Sequence, residues 1–407
     1  MFFGRINSAL HKTFYSLRNR NFRLFFIGQT ISNTGNWLTN VAIVLLVLKI
    51  TGSGLDVGIL SACQYGPILF LSAFGGSIAD KVDKRKMLLV TQGLEMAQSA
   101  ALAVLAFMPH PPLLATYIVA LAGGIFLAFD NPLRRSFVSE MVSREDLPNA
   151  VVLYSTIVNT SRIFGPALAG LLVVTLGYGW AFTLDALSYT AVIVCVIMMR
   201  PEELHIKHDR EKVSGGVMAG VRYIFSVPVL WINFVMLAVI GTLAYNFQVT
   251  FPLFVIRALH GTEGMFTVLY SIFSFGAVIC GLVVAHRKLV TMKHILTGAV
   301  LLGIAMLILA IVPNAYTAAV VIFFVGIASI LYMTPTTTTV QIESKPGMHG
   351  RVLALQSVFL IGTTLIGGPF SGFLADTFGG RAPILFGGVV CLAAALFGYV
   401  ATQKVTP

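Results

Sequence analysis

The sequence predicts an all-α membrane protein: twelve transmembrane helices in two pseudo-symmetric six-helix bundles. Three observations predict it. Of 407 residues, 57% are apolar and only 11% are charged, less than half of the roughly 25% that covers a soluble domain. Long runs contain no Asp, Glu, Lys or Arg at all. The second half of the chain also repeats features of the first at a constant offset.

A bilayer core takes about 20 apolar residues per helix. Residues 24–48, 57–79, 223–256, 264–285, 352–375 and 382–403 each form one uncharged run of that kind. Residues 295–342 are uncharged but would make a helix of roughly 70 Å, too long for one crossing, and Pro313-Asn314 divides them. Pro109-His110-Pro111-Pro112 separates 87–107 from 111–129, and Gly177-Tyr178-Gly179 divides 147–199. Such Gly, Pro and Asn clusters are where a chain turns. The count is twelve.

Charge sets the expected orientation. With the amino terminus inside, outward connections carry only Lys49, Arg257 and Arg381 of the 27 Lys and Arg, and Arg162 lies in a span. Lys and Arg concentrate in cytoplasmic loops, so both termini are expected in the cytoplasm. The net charge of +11 has the same origin. The basic residues form no stripe, so no nucleic-acid partner is expected. Residues 1–21 alternate Arg5, Lys12, Arg18 and Arg20 with Phe2, Phe3, Ile6, Leu10, Phe14 and Leu17, and read as an amphipathic segment lying on the inner membrane face. The expected organisation is this segment, a bundle over 22–199, a charged cytoplasmic linker at 200–222, a second bundle over 223–403, and a tail at 404–407.

The repeat is specific. At an offset of 203, Pro132 falls on Pro335, Glu140 on Glu343, Gly165 on Gly368 and Pro166 on Pro369. Parallel repeats of six helices place a substrate site between the halves and let them rock.

Between the second and third spans stands GSIADKVDKRK, residues 76–86. It resembles the cytoplasmic loop motif G-x-L-A-D-R-x-G-R-R of the major facilitator superfamily, with Ile78 for Leu and Asp83 for the second Gly. The resemblance implies the major facilitator fold. It also implies a gating loop of Gly76, Asp80, Lys81, Lys84 and Arg85, in which Asp80 would accept bonds from a helix N-terminus and favour an outward-facing state. Residues 372–381, GFLADTFGGR, fit the same pattern. By helix count they face outward, so they read as a helix end and not a gate. NFRLFFIGQTISNTGNWLTNVA, FDNPLRRSFVSEMVSREDLPNAVVL and RIFGPALAGLLV look like the enterobactin-exporter and multidrug-efflux branch.

Polar groups inside a membrane are costly and mark pathways or structural locks. In the first span Gln29, Asn33, Asn36 and Asn40 share one face by their spacing. Two roles fit: cavity lining, or contact between helices. The resemblance implies a cavity lined by helices 1, 4, 7 and 10, which favours the former and extends the substrate set to Thr242, Tyr245, Asn246, Tyr332 and Thr336. Asp130, at the end of an apolar run, is the candidate proton carrier, and a structural pairing with Arg134 or Arg135 is the rival role. Arg162 is expected to balance charge in an internal ion pair or to meet an anionic substrate. Glu95 and Asp185 are further acids in helices that the family uses as peripheral supports. Gly165, Pro166 and Gly170 resemble the end of the family's antiporter motif. With their copies Gly368, Pro369 and Gly372, they are expected to let helices approach closely.

No enzyme signature is present, and no phosphate-binding loop. The four Cys and eight His show no metal-ligand spacing, and no cofactor is expected. The resulting expectation is a monomeric, bacterial inner-membrane secondary transporter. It would export drug-like compounds or siderophores by alternating access and proton antiport, with substrate, protons and membrane lipid as its partners. A lipid or lysolipid flippase, an uncoupled facilitator, and a non-transporting scaffold or sensor are the alternatives.

Overall fold

A computed structural model describes residues 14–79, 82–205, 217–284, 291–345, 348, 352–353, 355–356 and 358–405. Asp80 and Lys81 of the expected gating loop lie outside the described residues, as do parts of the expected amphipathic segment and linker. Among the described residues, twelve helices are long and apolar enough to cross a membrane. In the first half they are α1 (Arg20–Thr51), α2 (Gly54–Ala79), α3 (Lys84–Phe107), α4 (Leu113–Met141), α5 (Leu147–Leu176) and α6 (Tyr178–Ile197). In the second half they are α7 (Pro228–Ala258), α8 (Glu263–Val284), α9 (Met292–Ile311), α10 (Ala315–Glu343), α11 (Val358–Phe378) and α12 (Ala382–Val405).

Helix ends follow local chemistry. Asp83 caps α3 by accepting from Lys86 N (3.1 Å), and Asn314 caps α10 by accepting from Thr317 N (3.0 Å). Both are short acceptors at the position where orphan amides need one. α5 and α11 end alike, at Gly177 (φ 89°) and Gly379 (φ 90°). This positive φ is a backbone state that glycine adopts without strain, so the repeat seen in sequence extends to the turns.

Three spans depart from the simple expectation. α4 continues to Met141, so Asp130 sits well inside a helix. α7 is discontinuous: a helix over Pro228–Leu243, a second over Phe247–Leu253 and a π-turn over Phe254–Ala258. At the break, Ala244 N and Tyr245 N both donate to Ile240 O (2.9 Å each), and Asn246 Nδ2 donates to Thr242 O (2.6 Å). A side-chain amide thus replaces a missing backbone donor, which is how a broken helix is tolerated at membrane depth. α11 opens with a π-turn over Val358–Gly362.

By contact the chain forms two compact units: Met1–Ala42 with Phe70–Glu211, and Ile43–Leu69 with Lys212–Pro407. In the first unit α3 packs against α4 and α6. Phe22, Phe25, Leu88, Leu133 and Phe137 form a buried core there. In the second, α10 packs against α8 and α9, and α12 against α7 and α9. Large apolar side chains such as Leu114, Leu171, Leu282 and Ile311 remain exposed, as lipid-facing positions do.

Close helix approach in the second unit rests on glycine. A Cβ on Gly326 of α10 would press on the Phe273 carbonyl of α8, and one on Gly276 of α8 on the Phe323 carbonyl of α10. Gly326→Val should therefore destabilise the second unit by about 1–3 kcal/mol, read as a lowered unfolding temperature in detergent. An unchanged temperature would mean that the two helices separate freely at this point.

Candidate functional site

The first unit buries an ionic cluster. Helical spacing assembles it: Asp130 and Arg134 lie one turn apart on α4, and Thr91, Gln92 and Glu95 share a face of α3. Asp130 and Gln29 are 0% exposed, and Arg134 and Glu95 are 3%. Arg134 Nη2 donates to Glu95 Oε2 (2.8 Å) and Nη1 to Gln29 Oε1 of α1 (3.0 Å). Arg134 Nε pairs with Asp130 Oδ2 as a close charge contact without an aligned hydrogen bond. The other Asp130 oxygen, Oδ1, accepts from Thr91 Oγ1 (2.7 Å) and Gln92 Nε2 (3.0 Å). Gln92 Nε2 also reaches Glu95 Oε2 (3.1 Å). Glu95 Oε1 is buried with no hydrogen-bond partner among the described residues.

One guanidinium thus stands between two carboxylates. With both acids ionised the trio carries one net negative charge in a low-dielectric interior, where an uncompensated charge is costly. One proton neutralises it. The arrangement is chemically able to hold and release a single proton, and Glu95 Oε1 is the open acceptor.

A second buried acid stands apart. Asp185 of α6 is 0% exposed, and its Oδ2 accepts from Thr39 Oγ1 of α1 (2.6 Å) and Ser99 Oγ of α3 (2.7 Å). Among the described residues no ion pair reaches it.

The structure distributes the sequence candidates as follows. Gln29 lies inside the ionic cluster. Further along α1, Asn33 donates to Gln29 O (2.7 Å), Asn36 to Tyr189 OH (3.4 Å) and Asn40 to Asn36 Oδ1 (3.2 Å). All three are half-buried. Arg162, half-buried on α5, has a buried Nε without a hydrogen-bond partner, and no ion pair joins it to Asp130. In the second unit Thr242 and Thr336 donate to Ala238 O (2.6 Å) and Tyr332 O (2.8 Å) of their own helices. Thr336 O accepts from Asn233 Nδ2 (3.0 Å). Asn246 Oδ1 and Tyr332 OH are buried without hydrogen-bond partners among the described residues. The Tyr245 ring stacks at 4.9 Å from Phe247.

The start of α3, which carries Lys84 and Arg85, is tied down within the first unit. Lys84 Nζ forms a buried ion pair with Glu140 near the end of α4. Arg85 donates to Val196 O (3.0 Å) and Ile197 O (2.9 Å), placing a cation where the α6 dipole is negative. Gly76 falls in α2. Gly165 abuts Trp37 of α1, and Gly170 is buried with Pro166. Among the described residues no group of three or more His, Cys, Asp or Glu side chains is placed to hold a metal.

A family profile described as transmembrane secretion effector, within the major facilitator superfamily, matches residues 11–406. The chain belongs to that family. It is an integral, multi-pass membrane transporter and not an enzyme. The chain is 25% identical to the staphyloferrin A transporter of Staphylococcus aureus, over 88% of this chain and 90% of that one. It is 27% identical to the multidrug efflux pump Tap of Mycolicibacterium fortuitum, over 93% and 94%. Identity with the enterobactin exporter EntS of Shigella flexneri is 28%, over 51% of each chain. A crystal structure of a bacterial homolog to the human lysosomal transporter Spinster has the same fold, with a TM-score of 0.75 at 14% identity over 94% of this transporter and 96% of that chain.

Removing one partner of a buried charge network leaves the others uncompensated. Arg134→Met should cost about 3–5 kcal/mol and collapse the folded yield. Adding Glu95→Gln and Asp130→Asn to Arg134→Met should restore most of it. If the triple variant is no better than the single one, charge compensation is not what Arg134 contributes.

Proposed function

We propose that this transporter is a secondary active exporter of small organic molecules, drug-like compounds or siderophores, across the bacterial cytoplasmic membrane. It works by alternating access, with both termini in the cytoplasm, and proton influx drives it. The observation that carries this reading is the single guanidinium of Arg134 held between Asp130 and Glu95 inside a membrane bundle. The family and the full-length relatives support export of this substrate class.

Asp130 and Glu95 share the coupling proton. Thr91 and Gln92 keep Asp130 Oδ1 supplied with donors, while Glu95 Oε1, without a hydrogen-bond partner among the described residues, takes up the proton. Arg134, in direct contact with both acids, supplies the balancing charge. Arg162 is left to meet an anionic substrate. The half-buried amides Asn33, Asn36 and Asn40, with Tyr245, Asn246 and Tyr332 in the second unit, offer the hydrogen-bonding groups that a polar substrate needs.

Proteoliposomes test the coupling. Enterobactin, staphyloferrin A and a panel of dyes should accumulate in vesicles acidified inside, with the protein oriented so that its cytoplasmic face is outward. Asp130→Asn and Glu95→Gln should each abolish the response to the pH gradient while leaving exchange of substrate for substrate. Transport by the wild type that ignores the gradient would identify an uncoupled facilitator. Wild-type pH dependence retained in both variants would remove the proton from this site.

A further inference from the structure

The outward-counted segment 372–381 shares the pattern of the cytoplasmic loop, yet sequence counting makes it only a helix end. In the structure its acid does more. Ser53 opens α2, and its Oγ accepts from Asp56 N (3.2 Å). Asp376 of α11 then receives the next amides: Gly54 N to Oδ1 (2.7 Å) and Leu55 N to Oδ2 (2.8 Å), with Ser53 Oγ at 3.2 Å from Oδ2. A carboxylate from one helix thus seats on the positive end of another. Arg257, presented by the π-turn of α7, donates Nη1 to Asp376 Oδ1 (2.6 Å) and Nη2 to the Gly52 carbonyl. Gly52 has φ 64° and makes the turn that aims this carbonyl.

Below this cluster the two helices touch through glycine. A Cβ on Gly58 would meet the Gly368 backbone, and one on Gly372 the Gly54 backbone. Further along, Gly66 faces Leu365 and Gly362 faces Leu69. Residues 54–69 of α2 accordingly group with the second unit, although residues 70–79 of the same helix group with the first.

We infer that Asp376 and Arg257 form a reversible latch, holding the outer half of α2 against α11 in one state of the transport cycle and releasing it in another. This inference rests on the alternating-access reading. Two features make the latch releasable. The Asp376 and Arg257 side chains are 29% and 24% exposed, against 5% and 4% for Glu95 and Arg134, so water can take over both charges on opening. At Gly58–Gly368 and Gly54–Gly372, next to the charges, the contact is also backbone against backbone, with no side chain to withdraw. It is the outward counterpart of what the sequence motif assigns to Asp80: a carboxylate at the end of one gating helix, capping the start of another.

The test reads helix separation without reading transport. Ser61 of α2 is 1% exposed and lies beside Gly368. In a variant with Cys63, Cys195, Cys280 and Cys391 replaced by Ala, Ser61→Cys is labelled by a hydrophilic maleimide in nanodiscs, where both membrane faces are accessible. Asp376→Asn and Arg257→Gln should each raise the labelling rate about tenfold, the factor carried by loss of one charge-assisted hydrogen bond. Gly58→Leu, which wedges the glycine contact, should do the same. Unchanged labelling in both charge variants overturns the latch, and if Asp376→Asn fails to fold, Arg257→Gln decides alone. A protein that labels as expected but moves no substrate would leave the latch standing and refute the transport reading.

Discussion

A cation inside a hydrocarbon slab must be met by an anion, and the first unit is organised around that requirement. Arg134 is satisfied by α1, α3 and α4 at once, through Gln29, Glu95 and Asp130. Asp185 of α6 joins α1 and α3 in the same way, through Thr39 and Ser99. Gln29 Oε1, which accepts from the guanidinium, also accepts from Asn33 Nδ2 (3.2 Å). The supporting donors Thr91 and Gln92 lie on the α3 face that carries Glu95. Two acids thus face one base in this cluster.

The second unit meets the membrane differently. It has few internal charges and holds its helices by close backbone approach. Gly276 and Gly326 bring α8 and α10 together, and Gly54, Gly58, Gly368 and Gly372 do so for α2 and α11. Its polar feature is the interruption of α7, where Asn246 repairs part of the lost hydrogen bonding and keeps Oδ1 in reserve. A rigid, charge-bonded unit and a glycine-packed unit with an interrupted helix are two solutions to the same problem of packing without a hydrophobic driving force between helices.

The spans and the repeat were legible because both are one-dimensional: run lengths, turn residues and a constant offset need no knowledge of which helices touch. Asp130 stood out for the same reason, as a charge in an apolar run. Glu95 drew less weight because α3 counts as a peripheral support in the family. A signal was present nonetheless, since Thr91, Gln92 and Glu95 put three polar groups on one helical face. Arg162 is on a different helix from Asp130, whereas Arg134 lies one turn away on the same helix and needs no tertiary coincidence. The break in α7 was hidden because residues 241–247 contain neither proline nor charge, only Asn246. The role of Asp376 depends on which helix faces it, and that is a property of the packing alone.

The partition of α2 bears on how this chain can be cut. Six spans from each half suggest that two gene fragments, divided between the sixth and seventh spans, would yield two self-sufficient pieces. The contacts say otherwise, because the end of α1 and the first stretch of α2, Ile43–Leu69, are built into the later-synthesised unit. A carboxy-terminal fragment would leave Gly368 and Gly372 without their α2 partners and Asp376 without amides to receive. During biosynthesis, the first hairpin must therefore wait for α11 before it has its final neighbour.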